Sequence, residues 1–268
     1  MKIARIRQSG KLATVNPGGT FAEILETDLL AALKSPASLT PTGTVLPADT
    51  PLAPPLIPNR ILCIGRNYAA HAEELGNAIP DEPVVFLKAS SCVIGHGEAI
   101  VAPEWIGQVD YEGELLVILG AGGENIPESN AMNLVAGYTC FNDVTARAKS
   151  KSLQGKGHPW FLAKSRDTFG PMGPWAVPRS ALPDPTAIRV SLTVNGETRQ
   201  TGTTAQMLHS IPALISFLSK WIALLPGDVI ATGTPPGVGP LQVGDTVAVT
   251  VDGIGTLENP VVSHLPVA

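Results

Sequence analysis

Apolar and polar residues alternate along most of this chain, in short stretches with the period of strands. Residues 1–13 alternate (Ile3, Ala4, Arg5, Ile6, Arg7) and predict an opening strand. Phe21, Ile24, Leu25, Leu29 and Leu33 recur at helical spacing and predict a helix. Seven prolines then fall between Pro36 and Pro58, which reads as an extended connector. That sets a boundary near Leu56, with a small N-terminal domain over 1–55 and the main domain over 56–268. RILCI (Arg60–Ile64) and PVVFLK (Pro83–Lys88) predict buried strands, with a helix between them from Asn67 to Leu75 that Gly76 or Asn77 stops. DYEGELLVILG (Asp110–Gly120) and VAGYTCF (Val135–Phe141) predict two more strands, and PESNAMNLV between them a helix start. Ile188 to Val194 alternates into Asn195-Gly196, the turn of a two-residue hairpin. Ile211, Leu214, Ile215, Leu218 and Ile222 make a helix that Ser210 can cap, with Pro212 in its first turn. A closing hairpin runs through Asp252-Gly253. The pattern as a whole predicts a mainly β chain with short helices (α+β).

Composition narrows the class. The chain has 268 residues, 27 of them Gly and 25 Pro, so turns and short strands are favoured over long helices. A net charge of −5 without a Lys/Arg cluster argues against a nucleic-acid partner. No apolar run approaches the ~18 residues that span a membrane. The alternating start, MKIARIRQSGK, does not resemble a signal peptide. Cys63, Cys92 and Cys140 are odd in number, far apart and set in apolar stretches, as expected of buried reduced thiols in a cytoplasmic protein.

The candidate chemistry centres on Asp110, Glu112 and Glu114. Side chains alternate along a strand, so these three point to the same face. Each like-charge pair at ~6 Å and an effective dielectric of ~20 opposes folding by roughly 3 kcal/mol. A bound cation turns that cost into binding energy, and oxygen ligands select a hard ion, Mg²⁺, Mn²⁺ or Ca²⁺, over zinc. An exposed acidic strand face is the alternative. His71 and Glu74 stand three apart on one helix face, the arrangement of an oriented general base or of an incidental surface pair. Asp143 ends a strand and can complete a metal site, and Arg147 four residues later can hold a substrate carboxylate. Lys149, Lys151 and Lys156 form a basic loop that reads as solvated, and His96 sits in a turn. Lys164 follows an apolar triplet and is either a partly buried group that stabilises an enolate or an edge-strand lysine facing water. ATGTPPGVGP lacks the P-loop ending, but its glycines let backbone N–H groups approach a ligand, and Thr232 and Thr234 add hydroxyls.

GRNYAAHAEE, YEGEL, NDVTAR, LAKS and TGTPPGVG occur in the order and approximate spacing of the fumarylacetoacetate hydrolase superfamily, over roughly residues 60–262. The chain resembles its smaller members, related to acylpyruvate hydrolases and 2-oxo acid decarboxylases. The resemblance implies a mixed β-sandwich roll, a homodimer, and Mg²⁺ or Mn²⁺ held by Glu112, Glu114 and Asp143, with Asp110 demoted to support. It implies that His71 and Glu74 activate water from a lid, and that Lys164, Arg147 and Thr234, with Gly233 beside it, meet a small-molecule 2-oxo acid. The chain departs from the pattern after Arg147: Ser150 stands where relatives commonly have Gln, and Gln154 comes later. His158 is a further candidate for substrate selection or a surface residue.

The activity expected is hydrolysis of the carbon–carbon bond of a 2,4-dioxo acid of the acylpyruvate type, giving pyruvate or a similar 2-oxo acid and a carboxylic acid. In that reaction His71 deprotonates water and Lys164 steadies the leaving enolate. A decarboxylase (lyase) for oxaloacetate-like acids and a hydratase or isomerase of 2-oxo acids use the same groups. A non-catalytic β-rich module with a structural ion is the alternative outside enzymes.

Overall fold

The computed structural model describes residues 1–74, 79–182 and 184–265, without the side chains of residues 71 and 72. The helix stop expected at Gly76 or Asn77 lies outside the described residues. Its large sheet has twelve strands. The main path runs Pro41–Leu46, Phe21–Ile24, Leu12–Val15, Ile3–Ile6, Gly170–Pro178, Val135–Asn142, Gly113–Leu119, Val229–Ala231, Ile61–Gly65 and Val84–Lys88. The N-terminal strands join it through the antiparallel pairing of Ile3 with Ala176.

Gly113–Leu119 lies at the centre, and every residue in it is buried. Leu115, Val117 and Leu119 enter one apolar cluster, and Leu116 and Ile118 another with Cys63, Phe141 and Ala231. A strand covered on both faces reads as an unbroken apolar run, which accounts for LLVIL. A five-stranded sheet, Glu197–Thr203, Arg189–Val194, Thr246–Val251, Gly255–Val262 and Ile100–Val101, supplies one cover. Its Val190, Leu192, Val249 and Leu257 share a core with Leu115 and Val117, the facing-sheet arrangement of a sandwich. A three-stranded sheet of Thr145–Ala146, Val109–Tyr111 and Gly239–Leu241 closes the site end. The expected mainly β roll with short helices is the observed architecture.

The hairpin at Asn195-Gly196, the closing hairpin and the helix Ile211–Trp221 form as expected, with the Ser210 hydroxyl accepting from Ala213 N at 3.4 Å. The three cysteines are buried and free.

Other expectations are corrected. Phe21–Ile24 is a strand paired with Leu12–Val15; helix starts only at Leu29, where Asp28 caps the Ala31 N–H at 2.9 Å. The proline-rich stretch contributes an exposed edge strand, Pro41–Leu46, and a short strand, Leu52–Ala53. Proline is tolerated there because an edge strand leaves one row of donors unpaired. Val84–Lys88 is an edge strand, with Val85 and Leu87 outward and only Lys88 fully buried. The basic stretch after Arg147 is a helix, Arg147–Gly155, that leaves Lys149 and Lys151 exposed. Lys164 ends a short helix, Phe161–Lys164, and is buried.

Candidate active site

The acidic stretch breaks where it matters. Asp110 belongs to the three-stranded sheet, Gly113 starts the large-sheet strand, and Glu112 falls between them. Side chains pin the break. Asn142 Oδ1 accepts from Glu112 N at 2.9 Å, Gln200 Oε1 accepts from Gly113 N at 2.9 Å, and Thr234 Oγ1 donates to Gly113 O at 2.9 Å. The Asp143 N–H donates to Glu112 O at 2.8 Å, which holds the end of Val135–Asn142 beside the break. One carboxylate oxygen from each of Glu112, Glu114 and Asp143 lies within 4.8 Å of the others, and all three residues are buried. Asp110 is not in this group.

Three buried cations face these carboxylates. Lys164 Nζ donates to Glu112 Oε2 at 2.7 Å and also to Asp143 Oδ2. Lys88 Nζ reaches the other Asp143 oxygen at 2.6 Å. Arg147 donates from Nε to Asp110 at 2.6 Å and from Nη2 to Glu112. Burial opposes the charge on Lys164 and on Arg147, but Asp143 and Glu112 hold the first, and Glu112 and Asp110 the second, above their ordinary values. The paired carboxylates thus favour the charged form of both groups. The Lys164 ammonium also lies 5.0 Å from the centre of the Phe86 ring.

Glu114 is the unbalanced member. It accepts the Gly233 N–H at 2.8 Å, and no cation pairs with it among the described residues. Burial first, then the charge of Asp143, push its carboxyl well above the ordinary carboxylate range. Three buried oxygen donors, one of them short of positive charge, fit a hard divalent cation of the Mg²⁺ or Mn²⁺ kind. Binding such an ion would displace the proton that Glu114 favours.

The structure brings most of the candidate residues to one cleft, lined by Glu112, Glu114, Asp143, Arg147, Lys164 and Thr234. The Thr234 hydroxyl accepts from Gln200 Nε2 at 2.8 Å besides donating to Gly113, and the Gly233 N–H is spent on Glu114. Arg147 Nη1 makes no hydrogen bond among the described residues. Glu74 closes the short helix Ala69–Glu74 and accepts the Gly237 N–H with both oxygens at 3.1 Å. The side chain of His71 lies outside the described residues. His158 is exposed and borders a separate apolar groove beside Phe161.

Sequence reasoning missed the contact between Lys88 and Asp143. The signal was available: Val84, Phe86 and Lys88 share a strand face, and Phe86 lines the cleft. Arg66, Ser150, Gln154 and Trp160 also line it. Gln154 Nε2 donates to the Ser150 hydroxyl at 3.0 Å.

A family model, fumarylacetoacetate (FAA) hydrolase C-terminal, matches residues 60–262. The chain is 45% identical over 194 residues to the mitochondrial oxaloacetate tautomerase FAHD1 of Mus musculus, covering 72% of this chain and 87% of that one. Its fold matches the 2-hydroxyhepta-2,4-diene-1,7-dioate isomerase of Mycobacterium marinum with a TM-score of 0.82 and 35% identity, over 98% of each chain. It also matches the fumarylpyruvate hydrolase of Pseudomonas aeruginosa, solved with Mn²⁺ and pyruvate, with a TM-score of 0.75 and 35% identity, over 83% of this chain and 94% of the other. Matched across three quarters of its length, the chain belongs to the fumarylacetoacetate hydrolase family.

Proposed function

We propose that this protein is a divalent-metal-dependent enzyme that interconverts the keto and enol forms of a small 2-oxo dicarboxylic acid of the oxaloacetate type. The observation that carries the reading is the buried set Glu112, Glu114 and Asp143 with the Lys164 ammonium on two of its members. The named substrates of the three relatives are dicarboxylic acids with an oxo or enol group at carbon 2, which supports the substrate class. The cleft is also narrow, about 40 Å³, against roughly 300–1,000 Å³ for pockets that take drug-sized ligands.

Glu112, Glu114 and Asp143 would hold the ion, which supplies Lewis acidity toward the 2-oxo acid end of the substrate. Lys164, held beside Glu112 and Asp143, would serve as a positive group for the oxygen on carbon 2 when negative charge develops there. Arg147, held by Asp110 and Glu112, leaves Nη1 for a substrate carboxylate. His71, three residues before Glu74 on the same helix, would carry the proton between carbon 3 and the oxygen on carbon 2. One proton leaves carbon and one arrives on oxygen, so no co-reactant is needed.

A second reading, hydrolysis of the carbon–carbon bond of an acylpyruvate, is supported by the likeness to the fumarylpyruvate hydrolase and by the hold of Gly237 on Glu74, which fixes a carboxylate at the end of the helix that carries His71. There His71 would deprotonate water, and Lys164 would steady the enolate that leaves. Decarboxylation of oxaloacetate draws on the same Lys164 contact.

A homodimer belongs to the same reading. The outward Val85 and Leu87 of an edge strand, with Phe161, supply an apolar face for it. Light scattering on the purified chain tests that point. No helix among the described residues is long and apolar enough to cross a membrane.

The functional test is NMR of acetylpyruvate, fumarylpyruvate and oxaloacetate with Mg²⁺ or Mn²⁺ and then with chelator. Faster keto–enol exchange of oxaloacetate without new products supports the first reading. Pyruvate plus a second acid from the dioxo acids makes hydrolysis primary, and pyruvate from oxaloacetate makes decarboxylation primary. No metal-dependent change in any of the three would sink the enzyme reading for this class of substrate.

A further inference from the structure

We propose that Arg66 selects the dicarboxylic substrate by holding the carboxylate remote from the Glu112–Glu114–Asp143 cluster; this rests on the 2-oxo acid reading above. Arg66, Arg147 and Lys164 are the cations on the cleft wall among the described residues. Arg147 is committed to Asp110 and Glu112, and Lys164 to Glu112 and Asp143. Arg66 makes no ion pair and no hydrogen bond among the described residues. Residues 71, 72 and 75–78 contain no Asp or Glu that could serve as its partner.

Arg66 is nevertheless held in place. Its guanidinium lies 6.0 Å from the centre of the Trp160 ring, a contact that orients the group without neutralising it. Trp160 is braced in turn by Phe86, 5.2 Å between ring centres, and by Gly65, where a Cβ would come within 3.0 Å of the indole. The Arg66 backbone is left-handed, with φ 58°. A long side chain rarely adopts that conformation, and it persists only where the surroundings impose it.

Asn67 imposes it here. Its Nδ2 donates to Thr232 O at 2.8 Å and to His209 O at 3.1 Å, and its Oδ1 accepts from His209 N at 2.9 Å. The chain thus keeps a strained backbone and an unneutralised guanidinium at the cleft wall, and gains no contact with an anion of its own. A ligand carboxylate supplies that contact, in the two-point geometry that a guanidinium favours over an ammonium.

The test compares oxaloacetate with its 4-methyl ester, which keeps the carbon skeleton and removes the distal charge, using the Mg²⁺-loaded protein. For Arg66→Gln the ratio of kcat/KM for the diacid over the ester should fall about tenfold to a hundredfold, mainly through KM. Arg66→Lys should lie between, because it restores the charge without the fork. A ratio that stays within about twofold of the wild type in Arg66→Gln overturns the assignment, and Arg66 is then a solvated arginine.

If the wild type turns over neither compound, the enol-chemistry reading has failed, and Arg66 is judged by binding alone. Calorimetry of the Mg²⁺-loaded protein with 2-oxoglutarate and with 2-oxopentanoate then decides. A diacid preference of about tenfold that disappears in Arg66→Gln supports the proposal. Equal binding by the wild type, or a preference that survives the substitution, overturns it.

Discussion

Arg147 donates from Nε to Asp110 Oδ2 at 2.6 Å, while Gln108 Nε2 donates to the other Asp110 oxygen at 2.7 Å. Asp110 thus supports a cation of the cleft and stands apart from the three grouped carboxylates. Asp110→Asn should weaken divalent-metal affinity by about tenfold to a hundredfold, as loss of a supporting partner does. Glu112→Gln should weaken it further. Calorimetric titration with Mn²⁺ compares the two. Equal losses would make Asp110 a ligand in its own right.

The titration of Glu114 sets the pH dependence. Its carboxyl is raised above the ordinary value by burial and by Asp143. In the metal-free protein such a group contributes stability that is fully present below its unfolded-state pKa and lost as pH rises through the folded one. A divalent ion binds the ionised form and removes that loss. The gain in Tm on adding Mg²⁺ should therefore be larger at about pH 8 than at about pH 6, with proton release on binding. A gain that is the same at both values contradicts a raised Glu114.

Asp143 divides its two oxygens between Lys88 and Lys164. Lys88→Met removes one partner of a buried carboxylate and should cost about 3 kcal/mol or more in denaturant unfolding. A cost under about 1 kcal/mol would place the pair in the class of solvated ion pairs.

Gly233 and Gly244 both have φ 98°, but only at Gly233 does an added Cβ meet a neighbour, Asn67 Cβ at 2.8 Å. At Gly244 nothing lies within 4 Å. Gly244→Ala should show backbone strain alone, about 1 kcal/mol. Gly233→Ala should cost more and should also weaken metal binding, because it displaces the N–H that holds Glu114. Thermal melts and Mn²⁺ titration of the two variants separate strain from clash.

Local pattern made the two hairpins and the helix Ile211–Trp221 legible through their periods, and the central strand legible through its unbroken apolar run LLVIL. The stretch from Phe21 misled because Phe21 and Ile24 fit a helix and a two-sided strand equally well, and pairing with Leu12–Val15 decided it. The site residues were recognisable as motifs, but their partners were not. Lys88 to Asp143 spans 55 positions and Asn67 to His209 spans 142. Neither contact has a local signature. The irregular turn at Glu112 was hidden for the same reason: distant side chains, Asn142, Gln200 and Thr234, hold it.

Counting bound Mn²⁺ by electron paramagnetic resonance, from loss of the free-ion signal, tests the central claim most directly. The account predicts one ion per chain, with affinity lost by about a hundredfold or more in both Glu112→Gln and Asp143→Asn while each variant remains folded. Saturation without any effect of either substitution, or no binding by the wild type, would contradict the assignment of this cluster as the metal site.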